Sequence, residues 1–401
     1  MQNPVFGSNM NSEREINMKW NNGLSILAIT VIYGCKKPYA PTIAAGNPNY
    51  LVVEGVINSG SDSTIIKLSR TVNISGKVST SYETGAQVAV ESDQNATYPL
   101  QETGNGKYVA NALNLDATHQ YHIYIKTAGG KEYASDPEPV VPDPPIDSVG
   151  YIIQNNGIQL YVNTHNPNNN TRYYRWEYTE TWQFHSEFVT PYISDGNELT
   201  PRTEAQQING CFGNDTSSTA LLGSSINLAK DEIYQAPLTR VVSTSEKLET
   251  KYSILVKQYA LTNAAFNFWQ NLKKNTEQLG SIFDAQPSEV QGNIHCITNP
   301  SEPVVGYMSV TNVQQKRIFI TNTQLPQTWT PVYPYECRED TFLYDNHYTN
   351  DVALYLLPLP ASYFATQPLS SAGSVYGFLG VSAECADCTI RGTTKQPNFW
   401  K

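Results

Sequence analysis

The chain has 401 residues, which allows two or three domains of about 150 residues each. It carries 36 acidic and 26 basic residues, so its formal net charge is −10 and it lacks the basic footprint of a nucleic-acid-binding protein. Aromatic residues make up 11% of the chain, which is enough large apolar side chain to exclude disorder throughout.

The segment 18–34 has the layout of a secretory signal peptide. A basic start precedes an almost wholly apolar run over 24–33, and a glycine stands before Cys35. This ending resembles the lipobox of bacterial lipoproteins, which are cut before the cysteine, and it implies a lipid on Cys35 that anchors the chain to a membrane. The alternative is a buried strand with a chance cysteine. Residues 1–17 are polar, and we interpret them as the product of a start codon assigned too early.

The remaining cysteines are odd in number, so one thiol should stay free if the compartment is oxidising. Cys385 and Cys388 form a CxxC near the C-terminus, which could be a redox motif or half of a zinc site. Structural disulfides are favoured, because no second CxxC follows and the surrounding residues do not predict a helix start. We expect Cys385 or Cys388 to pair with Cys337, which leaves the other for Cys211.

The body of the chain reads as mostly β. Residues 35–49 are rich in Pro, Asn and Gly and predict a tether. Short alternating runs over 50–135, separated by turn residues, predict an N-terminal β-sandwich of immunoglobulin-like or transthyretin-like type. Five prolines over 136–145 predict a linker and a domain boundary.

A larger β-rich, sandwich-like domain is predicted over 146–401. Aromatic residues of one parity over 174–184 favour a buried strand face over a ligand platform. The polar stretch 186–250 predicts a long insertion. Apolar residues at helical spacing predict a helix over 262–279, and later strands are expected, among them one at 352–357.

A series of sequence blocks extends over nearly the whole chain after Cys35. The blocks are Leu51–Gly55, Gly85–Val88, Gly106–Tyr108, Pro144–Val149, Tyr252–Tyr259, Phe268–Trp269, Gly280–Pro287, Gly292–Ile294, Gly306–Tyr307, Cys385–Cys388 and Pro397–Trp400. These blocks resemble the DUF4249 family of Bacteroidota lipoproteins, a family defined as a domain of unknown function. The resemblance supplies no catalytic residue, but it implies an outer-membrane lipoprotein, since members are commonly encoded beside TonB-dependent receptors. Cys296 lies outside the family pattern, which makes it the candidate free thiol.

Motifs that carry chemistry are scarce. HExxH, the Walker A loop, GxGxxG and GxSxG do not occur, and no pair of histidines has zinc-ligand spacing, so we predict no catalytic residue, metal site or cofactor. Two three-residue patterns, centred on Ser63 and Ser148, resemble sites that are O-glycosylated in exported Bacteroidota proteins.

Three classes of function remain. The first is an outer-membrane lipoprotein that assists a TonB-dependent receptor in nutrient capture or gating, with its lipid anchor facing either the periplasm or the cell surface. The second is a structural or assembly protein of the cell envelope that binds protein partners through 186–250. The third is an envelope hydrolase whose site is assembled in space and leaves no sequence motif.

Overall fold

The computed structural model describes residues 49–72, 80–277 and 290–400. The predicted start error, the signal peptide, Cys35 and the tether up to residue 48 lie outside the described residues. So do the last two residues of the predicted helix and the family block that begins at Gly280.

The described residues are mostly β, and their elements are labelled here in chain order. Nine strands precede residue 142: β1 (Leu51–Asn58), β2 (Thr64–Arg70), β3 (Ser81–Tyr82), β4 (Gln87–Ser92), β5 (Thr97–Glu102), β6 (Lys107–Ala110), β7 (Gln120–Lys126), β8 (Glu132–Ser135) and β9 (Glu138–Val141). Nine more follow up to residue 260: β10 (Ile146–Gln154), β11 (Gly157–Asn166), β12 (Tyr173–His185), β13 (Tyr192–Ser194), β14 (Leu199–Pro201), β15 (Gly210–Thr216), β16 (Leu221–Ser224), β17 (Asp231–Val242) and β18 (Lys251–Ala260).

The C-terminal part adds the two α-helices of the described chain, α1 (Asn263–Glu277) and α2 (Ala383–Ala386). A π-helix covers Val352–Leu356, and short 3₁₀ turns lie at Glu204–Gln206, Glu246–Leu248, Asn322–Gln324 and Cys388–Ile390. The last strands are β19 (Ile294–Cys296), β20 (Val304–Val305), β21 (Val310–Thr311), β22 (Gln314–Thr321), β23 (Asp340–Leu343), β24 (Tyr363–Ser371) and β25 (Ser374–Ser382). No helix in the described ranges is long and apolar enough to cross a membrane.

The N-terminal sandwich forms because its strands alternate apolar and polar residues. In β7, Tyr121, Ile123 and Ile125 are buried while the residues between them are more exposed. These side chains pack with the buried residues of β1, β2 and β4 into one core. The strands pair in the order β8, β7, β4, β5, β6, β2, β1, so the mostly β, sandwich-like fold class predicted from sequence is confirmed.

The predicted limits of this sandwich are wrong. Strands β19, β20 and β21 come from residues 294–311, yet β19 pairs with β8, and β20 and β21 lie parallel to β1. Ile294 and Met308 are buried in the same core as Leu51. Local periodicity cannot reveal such pairing, because the partners of β1 lie some 250 residues further along the chain.

The predicted linker 136–145 is also wrong, because the chain is fixed there on both sides. Its strand β9 pairs with β7 and β21, although Pro139 cannot donate a hydrogen bond to the ladder. Glu138 is buried at one end and Asp143 at the other. The described residues of Pro48–Lys401 accordingly form one compact unit.

The second sandwich packs a β10-β11-β17 sheet against a β15-β12-β18-β22 sheet. The aromatic row of β12 faces this core as predicted, with Tyr174, Trp176, Trp182 and Phe184 buried. The interpretation of 186–250 as an insertion is wrong, since it supplies β15 beside β12 and β17 beside β11. The many polar residues of these strands obscure the alternation of apolar and polar positions, so the sequence did not indicate strands here.

A small third module closes the chain. Strands β23, β25 and β24 form a sheet that packs with the β13-β14 hairpin and the π-helix. The strand predicted at 352–357 is wrong, because Val352 and Leu356 are buried on one side of a helical turn. The module continues into Trp400, which is buried against Phe212 and Phe319.

Candidate functional site: a cleft between the two sandwiches

An open cleft of about 760 Å³ lies between the two sandwiches. One wall is the outer face of β1 and β2, and the opposite wall is the outer face of β12 and β18. Helix α1 supplies one side through Phe268, Trp269 and Leu272. A volume of this size is within the range of small-molecule sites.

Strand alternation explains how β12 serves both a core and the cleft. Tyr174 and Trp176 point into the second sandwich, so Arg175 and Glu177 between them point outwards. The neighbouring strand β18 places Tyr259 directly opposite Arg175 and Lys257 directly opposite Glu177.

Arg175 is the most enclosed charge of the cleft, with 7% of its side chain exposed. Its guanidinium carbon lies 4.3 Å from the ring centre of Tyr259 and 4.2 Å from that of Trp269. Nη1 pairs with the carboxylate of Glu177, which also accepts a 2.8 Å hydrogen bond from the Tyr259 hydroxyl. The Nε of Arg175 is buried and has no hydrogen-bond partner in the described structure.

This arrangement keeps both charges in place. Partial burial works against ionisation of Glu177, but the charge of Arg175 and the hydroxyl of Tyr259 outweigh it and hold the pKa of Glu177 below its ordinary value. Burial, followed by the negative charge of Glu177, raises the pKa of Tyr259 well above its usual range. At neutral pH the cleft therefore contains a guanidinium, a carboxylate and a neutral phenol.

Three lysines add positive charge to the walls. Lys67 and Lys107 are directly opposite each other on β2 and β6, and Lys257 lies across the cleft. Their ammonium groups form no ion pair within 4 Å among the salt bridges of the described ranges. Like charges in direct cross-strand positions are unfavourable, and Glu54, which lies directly opposite Lys67 on β1, offsets part of this repulsion.

A buried polar cluster supports the cleft from behind. Glu138 accepts a 2.5 Å hydrogen bond from the hydroxyl of Tyr307 and a 3.3 Å bond from the Asn293 amide. Burial raises the pKa of Glu138, although these donors partly oppose the shift. Tyr307 also lines the cleft, so the position of its ring depends on this cluster.

Two glycines let the backbone close around that cluster. A Cβ on Gly292 would collide with the carbonyl oxygen of Gly306, and Gly306 itself adopts a φ of 141° against the backbone of Val53. Asn293 then exchanges hydrogen bonds of 2.8 and 2.9 Å with the backbone of Met308. The family blocks at 292–294 and 306–307 are thus parts of one contact.

The second buried carboxyl, that of Asp143, fixes the start of the second sandwich. Gln258 donates 2.9 Å to its Oδ1, while the indole of Trp176 donates 2.9 Å to the Oε1 of Gln258. The Oδ2 of Asp143 is buried without a partner. Desolvation raises the pKa of Asp143 to about 8, so this carboxyl is protonated at neutral pH.

The cysteines predicted to form disulfides do so in two bridges. Cys337 joins Cys385, and Cys211 joins Cys388. Each thiol of the CxxC therefore reaches a different distant segment. The remaining described cysteine, Cys296, is free and buried at the end of β19, where it lies opposite Tyr133 of β8.

The two glycosylation candidates differ in accessibility. Ser63 is exposed in the turn between β1 and β2 and lies at the rim of the cleft. Ser148 is half-buried in β10, and its hydroxyl accepts a 2.8 Å hydrogen bond from Asn163. The structure does not bring these serines together. Within the described ranges, no group of three or more His, Cys, Asp or Glu residues is placed to hold a metal ion.

Sequence reasoning did not single out Arg175, Tyr259 or Trp269. One signal was present: β12 is an aromatic strand in which a cation and an anion occupy the alternate positions 175 and 177. The contribution of helix α1 could not be foreseen, because nothing local indicates which strand face it covers.

Comparison with models of protein families shows which family this chain belongs to. The model described as domain of unknown function DUF4249 matches residues 36–317. The chain belongs to the DUF4249 family. The resemblance to the DUF4249 family is thereby confirmed over residues 36–317, and every residue that lines the cleft of this DUF4249 protein lies in that range. No curated protein matches the sequence.

Several solved structures share weak likeness with this DUF4249 chain. A two-domain fibronectin type III segment from chicken tenascin is 12% identical, covering 54% of this chain and 93% of its own, with a TM-score of 0.15. A structure holding manganese lipoxygenase of Gaeumannomyces graminis and part of a zonadhesin of Komagataella pastoris is 10% identical over 55% and 91%, with a TM-score of 0.17. A chitinase from Bacillus thuringiensis is 12% identical over 49% and 29%, with a TM-score of 0.14. With TM-scores this low, the three structures give no basis for inferring the function of this chain.

Proposed function

We propose that this protein is an outer-membrane lipoprotein that binds a small molecule in the cleft and assists a TonB-dependent receptor in its capture. The observation that carries the proposal is the cleft itself, which combines apolar walls, an aromatic side and an enclosed guanidinium. A few polar groups in a mostly apolar concavity are typical of ligand sites.

Binding is favoured over catalysis by the composition of the cleft. No histidine is among the described residues that line it, and its serine, Ser63, lies exposed at the rim. The carboxylate of Glu177 is engaged by Arg175 and Tyr259 and so is poorly placed to act as a general base.

The anchor follows from the sequence at the N-terminus. Signal-like residues 18–34 and the lipobox before Cys35 support an acylated cysteine. Cys35→Ala should abolish incorporation of a fatty-acid analogue and leave the chain uncleaved or unanchored. Retention of label by this variant would refute the site.

We place the receptor contact on the third module instead of on 186–250, whose strands are largely committed to the second sandwich. Large side chains are exposed there, and aromatic residues are enriched at protein interfaces. Tyr348 is 97% exposed and Tyr376 is 48% exposed. Other exposed members of this surface are Tyr344, Leu354, Tyr355 and Leu359.

Affinity purification from mild detergent tests the partnership. The tagged wild-type chain should recover one large TonB-dependent barrel, and Tyr348→Ser with Tyr376→Ser should recover several-fold less. Tyr234→Ser is the matched control, because Tyr234 is 73% exposed on β17, outside this surface. Recovery of the lipoprotein alone, from cells that express the neighbouring receptor, would refute the partnership.

A further inference from the structure

We propose that the cleft takes an organic anion, that is, a carboxylate or similar oxyanion group attached to an apolar or aromatic body. The inference rests on the proposed function and names the chemical class of its ligand. It depends on three features of the cleft: its charge, its enclosed guanidinium and its apolar walls.

The charge of the cleft is opposite to that of the protein. Four cations and three carboxylates line it, which leaves one net positive charge in a chain of net charge −10. Glu177 pairs with Arg175, and Glu54 lies directly opposite Lys67 across β1 and β2. Asp62 accepts a 3.0 Å hydrogen bond from the neutral amide of Gln315 and keeps its charge. After these pairings, Lys107 and Lys257 are opposed only by the carboxylate of Asp62, so the cleft keeps a surplus of one positive charge.

Two of the lysines are placed to share one anionic group. Lys67 and Lys107 are directly opposite each other on adjacent strands, and Lys257 adds positive charge on the opposite wall. A bound oxyanion would relieve the repulsion between the first two. Arg175 also lines the cleft, so its guanidinium adds to the positive potential that a bound anion would experience.

The remaining lining requires an apolar body on the ligand. Ile65 and Val305 are each 38% exposed, although strands normally turn polar residues to a wet face. Both line the cleft together with Val52, Leu272 and the half-buried Trp269. A small inorganic anion would leave this surface uncovered, whereas an organic anion covers it and gains the apolar contact.

A matched pair of probes tests the charge of the ligand. 1-Naphthaleneacetate and its amide, 1-naphthaleneacetamide, have nearly the same shape and differ in one negative charge. Isothermal titration of the full acylated chain in mild detergent, with a protein-free detergent blank, should show the acetate binding about tenfold more tightly than the amide, as expected for two partly exposed ionic contacts, to Lys67 and Lys107.

Charge-removing variants test whether the preference for the acetate arises in the cleft. Lys67→Gln with Lys107→Gln should weaken the acetate about tenfold and leave the amide unchanged. Lys230→Gln removes the same charge from an exposed position outside the cleft and should change neither affinity.

Equal affinities for the two probes, no measurable binding of the acetate, or an equal loss in the Lys230→Gln control would overturn the anion assignment. The receptor purification does not depend on ligand charge, so it reports separately on the proposed function. Recovery of the barrel together with tighter binding of the amide would leave that function standing and assign the cleft to neutral ligands.

Discussion

The guanidinium carbon of Arg175 lies 4.2 Å from the centre of the Trp269 ring, and this contact joins strand β12 to helix α1. The Tyr259 ring lies at 4.3 Å from the same carbon, so the cation is in contact with two rings. A largely desolvated cation–π contact is worth about 2 kcal/mol, which is enough to hold the helix against the cleft.

A double-mutant cycle on Arg175→Met and Trp269→Leu should therefore show coupling of about 1–2 kcal/mol in the free energy of unfolding. The reason is that either change alone removes the same contact. Urea unfolding followed by circular dichroism measures it. Trp269→Leu combined with Lys230→Gln is the control and should be additive. Additivity in the first pair would show that the stacking does not stabilise the fold.

Gly292→Ala should destabilise the protein by about 2–4 kcal/mol, because its Cβ would force the backbone of Gly306 away. Gly306 lines the cleft, so affinity for a cleft ligand should fall as well. The control is Gly129→Ala, where a Cβ meets nothing closer than 4.0 Å and the φ is not in the left-handed region. Thermal unfolding compares the two. A Gly292→Ala variant as stable as the Gly129→Ala variant would contradict the close approach.

The free energy of unfolding should fall as the pH rises, because Asp143 keeps its proton in the folded chain over a pH range in which it has lost it in the unfolded chain. Burial raises the pKa of Asp143 from 3.8 to about 8. Between these values the unfolded chain gains by ionising while the folded chain keeps its proton, so stability is lost as pH increases. Asp143→Asn mimics the protonated acid and should lose less stability between pH 5 and pH 8.

Chemical denaturation at these two pH values measures the difference between Asp143→Asn and wild type. The control is Asp340→Asn, which changes a carboxyl that is 44% exposed. An identical pH dependence in wild type and Asp143→Asn would show that Asp143 is ionised in the folded chain.

Loss of either disulfide should destabilise the chain by a few kcal/mol. The bridges close loops of 177 and 48 residues, and loop-closure entropy assigns about 4–5 kcal/mol to each. Cys211→Ala with Cys388→Ala, or Cys337→Ala with Cys385→Ala, should lower the midpoint of urea unfolding. Thiol titration without reductant should find Cys296 unreactive in the native chain and reactive after unfolding. A native chain with several reactive thiols would contradict the pairing.

The sequence predicted the features that are determined by neighbouring residues, but it did not predict those that depend on contacts between distant parts of the chain. Alternation in β7 and the aromatic row of β12 were enough for the mostly β fold, and the spacing at 265–272 was enough for helix α1. The segment that contains strand β9 was interpreted as a linker because of its five prolines. Its partners, β7 and β21, are distant in the sequence or unrelated to its local pattern, so local periodicity could not predict the strand.

The candidate site shows the same limit. Arg175 could be placed on the outer face of its strand from alternation alone. Its stacking on Trp269 could not, because residues 94 positions apart meet through tertiary packing. The pairing of the CxxC thiols with distant cysteines was predicted correctly. The local conformation was not, because Cys385 lies in helix α2 and Cys388 in a 3₁₀ turn, where no helix start was expected.

The pairing of β1 with β20 and β21 has a consequence for biosynthesis. A ribosome delivers β1 first, but the strands beside it are not made until residue 311 has emerged. The first sandwich cannot finish folding before these strands are present, so β1 keeps one edge uncovered until then. A chain cut off before residue 304 therefore presents an open sheet edge to quality-control proteases.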